Sequence, residues 1–163
     1  MDSADTMRPG DSLKAARAKR RGGATEDAEY RLDTQVGFLM RRANQRHVAI
    51  FAAHLGKGIT TTRWAALAKL YEEGPTSQNL LGRNTAMDAA TFKGVVDRLT
   101  KLHLIETRAD PGDGRRRMVA LTEAGRRLVE QSLARAAAIT DETLSPLTAT
   151  ERGQFLTLLR KLG

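Results

Sequence analysis

The chain has 163 residues, 40% of them hydrophobic, a length that allows one compact domain but not two full ones. Lysine and arginine number 27 against 19 acidic residues, and the net charge of +8 favours nucleic acid or an acidic membrane surface as partner over a merely basic soluble protein. The absence of cysteine excludes disulfides, thiolate metal sites and cysteine nucleophiles.

The first segment, residues 1–28, is predicted to be a disordered basic arm. It mixes Asp, Ser, Pro and Gly with a basic cluster between Lys14 and Arg21 and has no apolar periodicity. Such an arm can add phosphate contacts, lie over a partner subunit or remain a solvated tail. No stretch resembles a secretion signal or a membrane span, so we expect a cytoplasmic protein with no membrane partner.

Helical periodicity dominates the next part of the chain. Apolar residues from Tyr30 to Leu55 recur at helical spacing and predict a long first helix. Thr60 to Thr62 offer cap hydroxyls for a second helix over residues 63–72, which Gly74-Pro75 ends.

Two shorter helices follow. Thr76 or Ser77 can cap a third helix that ends around Gly82 to Asn84. After a turn, a fourth helix is predicted from about Asp88 to Leu102. The apolar residues of its buried side are Phe92, Val95, Val96 and Leu99.

The remaining elements are a hairpin and two helices. Leu104 to Arg108 and Met118 to Leu121 are short β-capable runs joined by a tip of turn formers and cations. They predict a two-stranded hairpin with a basic tip. Thr122 can cap a fifth helix, and a capping box from Thr148 to Glu151 opens a sixth that runs to Leu162.

The order of these elements is that of a helix-turn-helix followed by a wing, so the predicted fold class is mostly α with a small β-hairpin. A recognition helix needs small and polar residues in its first turns to enter a major groove about 12 Å wide. Ala89, Ala90 and Thr91 supply them, and Thr91 and Lys93 can hydrogen-bond a base edge or a phosphate. The fourth helix is therefore the predicted recognition helix.

The predicted wing carries three consecutive arginines. Arg115 is suited to a narrow groove of negative potential, while Arg116 or Arg117 can reach the DNA backbone. Asp113 can hold the arginine through a charge-assisted hydrogen bond. Since such a run is more often a solvated face, the prediction depends on the ordered set of helix, turn, helix and wing.

Three segments carry a resemblance to a known family. They are Met87-Asp88-Ala89-Ala90-Thr91-Phe92-Lys93-Gly94-Val95-Val96-Asp97-Arg98-Leu99, Leu104-Ile105 and Asp113-Gly114-Arg115-Arg116 with Leu121-Thr122-Glu123-Ala124-Gly125. These resemble the recognition-helix and wing signature of the MarR family of ligand-responsive repressors, over about residues 30–162. The resemblance implies a winged-helix subunit over 29–163, with a DNA-binding lobe at about 60–122 and dimerisation helices at about 30–55 and 123–162.

The same resemblance implies roles for single residues. Arg98 would tie the recognition helix to Asp113 and the wing rather than read bases. The chain departs from the family pattern at His103, where a glycine is usual, and histidine tolerates the left-handed position at modest cost. It also has Gly94 where the family has a polar or basic residue, so one DNA contact that the family pattern implies has no side chain here.

The resemblance also implies a small-molecule effector. The segments 41–47 and 63–70 are most similar to members that control aromatic-compound catabolism, and a pocket is expected between the dimer helices and the DNA-binding lobe. Trp64 can stack on an aromatic ring, and Arg46 or His47 can pair with a carboxylate. The alternatives are that Trp64 is core, and that His47 and His54 are simply buried and hydrogen-bonded.

The predicted function is a ligand-responsive repressor that binds palindromic double-stranded DNA as a homodimer and is released by an aromatic acid or an aromatic acyl-CoA. No cofactor is expected. An enzyme is disfavoured, because the sequence has no His-Glu-x-x-His motif, and His47 and His54 could share a metal only if a carboxylate joined them. A non-switching, architectural DNA-binding protein is the main alternative, and a protein-interaction module is the third.

Overall fold

The computed structural model describes residues 30–56, 58–110, 112–113 and 116–163. The predicted arm at 1–28 and the predicted wing residue Arg115 lie outside the described residues. The chain divides after Phe38 into two units. Within the described ranges, no helix is long and apolar enough to cross a membrane.

The described residues are mostly helical with a small antiparallel sheet, so the predicted fold class is confirmed. In chain order the elements are a 3-10 turn at Leu32–Thr34, α1 Val36–Leu55, α2 Thr61–Glu73, β1 Thr76–Ser77, α3 Gln78–Asn84, α4 Ala89–Lys101, β2 Ile105–Ala109, β3 Arg117–Leu121, α5 Glu123–Thr143 and α6 Ala149–Leu162.

The first helix begins later than predicted. It starts at Val36 rather than Tyr30, because the preceding residues form a 3-10 turn and Gln35 is extended, with ψ 130. The side chains of Thr34 and Gln35 both donate to the Arg31 carbonyl oxygen, at 2.8 and 3.1 Å. Side-chain bonds of this kind compete with helical backbone bonds, and apolar spacing does not reveal them.

The sheet has three strands rather than the predicted two, in the order β1-β3-β2. The β2 and β3 strands form the predicted hairpin, with Ile105 opposite Leu121 and Ala109 opposite Arg117. The unpredicted strand β1 pairs Thr76 with Val119. A strand of two residues has no periodicity to detect, and only its pairing with β3 defines it.

Most helix caps could be predicted from the sequence. Thr60, Ser77, Asp88, Thr122 and Thr148 each accept a hydrogen bond from the backbone N–H three residues later. The last of these forms the predicted capping box, in which hydrogen bonds from Thr148 lower the pKa of the Glu151 carboxyl. Asp88 is itself a cap, so α4 starts one residue later than predicted.

One hydrophobic core unites α2, α3, α4, the sheet and α5. Its members are Ala66, Leu67, Leu70, Leu81, Val95, Val96, Leu99, Ile105, Val119 and Val129. Phe92 is half-buried against the same core. Because both short helices and the hairpin contribute to one core, they are held as a single body.

A left-handed residue joins α4 to the sheet. His103 has φ 54, as predicted from its place after the recognition helix. Its N–H donates to Thr100, and the next N–H, of Leu104, donates to Leu99. This pair of bonds is a Schellman motif, which ends the helix and directs the chain into β2.

Candidate nucleic-acid interface

The α3–α4 pair is closely packed at its crossing. Gly82 of α3 lies against the Phe92 ring, where an added Cβ would be 3.5 Å from the nearest ring carbon. In the turn, Thr85 donates its hydroxyl to Leu81 O at 2.7 Å and Met87 N–H donates to Gly82 O. These contacts set the angle at which α4 leaves α3.

The outer face of α4 carries the predicted base-contacting residues. Ala89, Ala90, Thr91 and Lys93 are all exposed, while the opposite side of the helix is buried by Val95, Val96 and Leu99. Gly94 is also exposed and has open space where a side chain would be. The first turns of α4 thus present small and polar groups on a surface that backs onto the core.

Asp88 organises the start of this helix. One of its carboxylate oxygens accepts the Thr91 N–H and the other accepts the Thr91 hydroxyl, both at 2.8 Å. Hydrogen bonds from the Thr91 backbone and then from its side chain lower the pKa of the Asp88 carboxyl. The carboxylate is therefore ionised near neutral pH, and its negative charge interacts favourably with the positive end of the helix dipole.

The hairpin tip is organised by Asp110, which sequence reasoning did not single out. Its side chain accepts the Gly112 N–H at 2.8 Å and pairs with Arg116, with 3.9 Å between Oδ2 and Nε. The backbone adds a bond from Arg116 N–H to Asp113 O at 2.8 Å. An aspartate that bonds the backbone two residues on is a turn former, and this was the available sequence signal.

The predicted wing residues are exposed where they are described. Arg116 and Arg117 lie on the surface, as does Asp113. Arg98 is exposed on α4, and the salt bridges among the described residues do not include one between Arg98 and Asp113. That tie remains a prediction.

A groove of about 920 Å³ runs between α3, α4 and the hairpin. Met87, Phe92 and Val96 line its apolar part. Its cations are Arg83, Lys93, Lys101 and Arg117, against one carboxylate, Asp97. The cations extend the polar face of α4 into a surface that can neutralise several phosphates.

The candidate ligand residues lie elsewhere, on α1 and α2. Arg46 donates from Nη2 to Glu142 O at 3.0 Å and to Ser145 Oγ at 3.2 Å. His47 is half-buried, with Nδ1 3.1 Å from Thr143 Oγ1. The structure thus brings two of the three residues together at the carboxyl end of α5.

Trp64 and His54 have structural partners of their own. Trp64 is half-buried and packs against a small cluster of Ile50, Phe51 and Ile139 as well as the main core. His54 Nε2 lies 2.7 Å from Glu142 Oε2. Among the described residues, no three His, Asp or Glu side chains are grouped to hold a metal ion.

Comparison with known proteins identifies relatives along most of the chain. A family model described as "MarR family" matches residues 57–116. The transcriptional repressor NicR of Pseudomonas putida is 38% identical over 138 residues, which cover 84% of this chain and 87% of the relative.

Solved structures of transcriptional regulators are also similar to this chain. A probable transcriptional regulator from Pseudomonas aeruginosa superposes with a TM-score of 0.79 at 53% identity, covering 82% of this chain and all of that one. Bordetella bronchiseptica BpsR, described with a mechanism for regulation of its DNA binding by 6-hydroxynicotinic acid, has a TM-score of 0.78 at 39% identity and covers 83% of this chain and 97% of its own.

Proposed function

The chain belongs to the MarR family of transcriptional regulators, which are not enzymes, and we propose that it is a repressor that binds a palindromic operator as a homodimer and is released by an aromatic acid or its CoA thioester. The proposal rests on the residues exposed on the outer face of α4. Thr91 and Lys93 are exposed there beside a cation-lined groove, on a helix whose other side is core. That arrangement suits a helix lying in the major groove.

The wing adds a second DNA contact. Arg116 and Arg117 extend from the hairpin on the surface, and Arg115 would enter the minor groove beside them. Since the hairpin and α4 share one core, the two contacts would have a constant spacing on the duplex. Arg115 is assigned to the minor groove, Arg117 to a phosphate and Thr91 to base readout.

Homodimer formation is supported by apolar surface on α6. The helix has no buried residue, yet Phe155, Leu158, Leu159 and Leu162 recur along one of its faces, with Leu158 57% and Leu162 73% exposed. Leu133 of α5 is also exposed. Covering such a face with a second copy would give a two-fold dimer, which requires a near-palindromic operator.

The effector is proposed to meet Arg46, His47 and Trp64. Arg46 contacts the end of α5 through Nη2, and its planar guanidinium has further N–H donors that can take a carboxylate. A ligand bound there would act on the packing of α1 against α5 and so on the spacing of two recognition helices. BpsR, whose DNA binding is described as regulated by 6-hydroxynicotinic acid, supports an aromatic acid as the first compound to test.

A fluorescence-anisotropy titration tests the proposed function. The purified protein is titrated with the DNA upstream of its own gene and with a scramble of equal length, at two salt concentrations, with and without 6-hydroxynicotinic acid, other aromatic acids and their CoA thioesters. We expect tight, sequence-selective binding that one compound reverses. Binding that is equal on both duplexes would contradict an operator-specific repressor.

A non-switching DNA-binding protein is the second candidate. It is favoured by the hydrogen bonds that Arg46 and His47 already make near the end of α5, which give each side chain a structural partner without a ligand. Sequence-selective binding that no compound in the panel alters would favour this candidate over the ligand-responsive repressor.

Replacing Lys93 by methionine should weaken binding to operator and scrambled duplex by a similar factor. Lys93 is exposed on α4 and lines the cationic groove, so it is assigned to a phosphate. Because a homodimer carries Lys93 twice, the variant loses two phosphate contacts, and the slope of log affinity against log salt should fall by about 1.8. Lys161→Met on α6 is the matched control and should leave the slope unchanged; an equal change in both variants would remove Lys93 from the interface.

A further inference from the structure

The hydroxyl of Thr91 is held by a neighbouring carboxylate. Its Oγ1 lies 2.8 Å from Asp88 Oδ2, while the Thr91 backbone N–H donates to Asp88 Oδ1 at the same distance. Both residues are exposed at the first turn of α4, where a recognition helix meets base edges. The direction of the hydroxyl bond therefore decides what Thr91 can offer to DNA.

That direction follows from the chemistry of the pair. An ionised carboxylate has no proton and can only accept, and the bonds that it receives here lower the pKa of Asp88. The hydroxyl must then donate its single proton to Asp88. What remains on Thr91 Oγ1, facing away from Asp88, is lone-pair density, which can only accept a hydrogen bond.

We propose that Asp88 makes Thr91 an obligate acceptor, so that Thr91 selects adenine or cytosine on the contacted strand through the exocyclic amino group of the base. Adenine and cytosine present N6–H and N4–H donors in the major groove, whereas guanine and thymine present O6 and O4 acceptors at the corresponding positions. Asp88 is then a positioning residue for specificity. The inference rests on the proposed function, because it assumes that α4 enters the major groove of an operator.

An asparagine at position 88 separates the roles of the two carboxylate oxygens. The Thr91 N–H still requires an acceptor, so the amide oxygen takes the place of Oδ1 and the amide NH2 faces Thr91 Oγ1. The amide then donates to the hydroxyl and frees its proton, so Thr91 can donate or accept. The helix cap is retained, since asparagine caps as well as aspartate.

The test is selection from a random double-stranded DNA library with the full chain, followed by competition among the four bases at each selected position. For the unaltered protein, we expect one position in each half-site where adenine or cytosine is preferred by at least about fivefold over guanine and thymine. Asp88→Asn should reduce that preference at least about threefold at this position alone. It should also raise affinity for all sequences, because a negative charge near phosphates is removed.

Two variants of Thr91 identify the reading atom. Thr91→Val keeps the branched shape without the hydroxyl and should abolish the preference, whereas Thr91→Ser keeps the hydroxyl and should retain it. An unchanged preference in Asp88→Asn would overturn the proposal. An unchanged preference in Thr91→Val would also overturn it, because Asp88 or the threonine methyl would then be reading the base.

These outcomes are distinct from a failure of the proposed function. If the unaltered protein selects a sequence but Asp88→Asn selects the same one with the same base ratios, the operator-binding function stands and the role of Asp88 is wrong. If the unaltered protein selects no sequence at all, the proposed operator recognition fails, and the inference that rests on it fails as well.

Discussion

Replacing Gly125 by alanine should lower the free energy of unfolding by about 3 kcal/mol, at the upper end of overpacking effects. Gly125 lies in the first turn of α5, where an added Cβ would overlap the Leu104 carbonyl oxygen and lie 2.9 Å from its carbon. That carbonyl also accepts the Thr122 N–H at 3.1 Å, so it cannot turn aside without losing a backbone bond. Urea unfolding followed by circular dichroism measures the effect.

The matched control is Gly94→Ala in α4. Gly94 is also helical, but nothing lies within 4 Å of its would-be Cβ, so the exchange should stabilise the helix by about 0.5–1 kcal/mol. Because Gly125 packs against the backbone of Leu104, directly before β2 of the hairpin, its alanine variant should also bind DNA more weakly at temperatures where it is still folded. If Gly125→Ala and Gly94→Ala had equal free energies of unfolding, the backbone at Leu104 would have to shift away from the added Cβ with no loss of stability.

The second large effect is expected from Leu158→Glu on α6. This variant should be monomeric and should bind a palindromic operator at least about a hundredfold more weakly, since each half-site would then be bound without the other. Leu158 is 57% exposed and α6 contributes no buried residue, so the subunit should fold normally. Sedimentation measures the mass, circular dichroism the fold, and fluorescence anisotropy the affinity.

Thr157→Glu introduces the same charge on the opposite side of α6. Thr157 donates its hydroxyl to Gly153 O within the helix, so this variant should remain dimeric and retain operator affinity. If both variants are monomeric, the charge itself or damage to the helix is responsible. If Leu158→Glu remains dimeric, the apolar face of α6 is not the subunit contact.

The amino-acid sequence was enough to predict the helices, the hairpin and most caps. Periodic apolar residues and cap hydroxyls such as those of Ser77, Thr122 and Thr148 act within a few residues, so their effect can be read from local order. The left-handed His103 was expected from the family resemblance, because a glycine is usual at that position. The outer face of α4 followed from the period of the helix, because its buried residues define the opposite side.

The contacts of the candidate sites depended on tertiary structure. Arg46 bonds residues 96 and 99 positions away, and β1 exists only through pairing with β3. The groove beside α4 likewise combines residues from three elements. Short-range rules say which segments form helices and which groups they expose. Which distant groups then meet depends on how the helices pack in a shared core, and no local spacing records that packing.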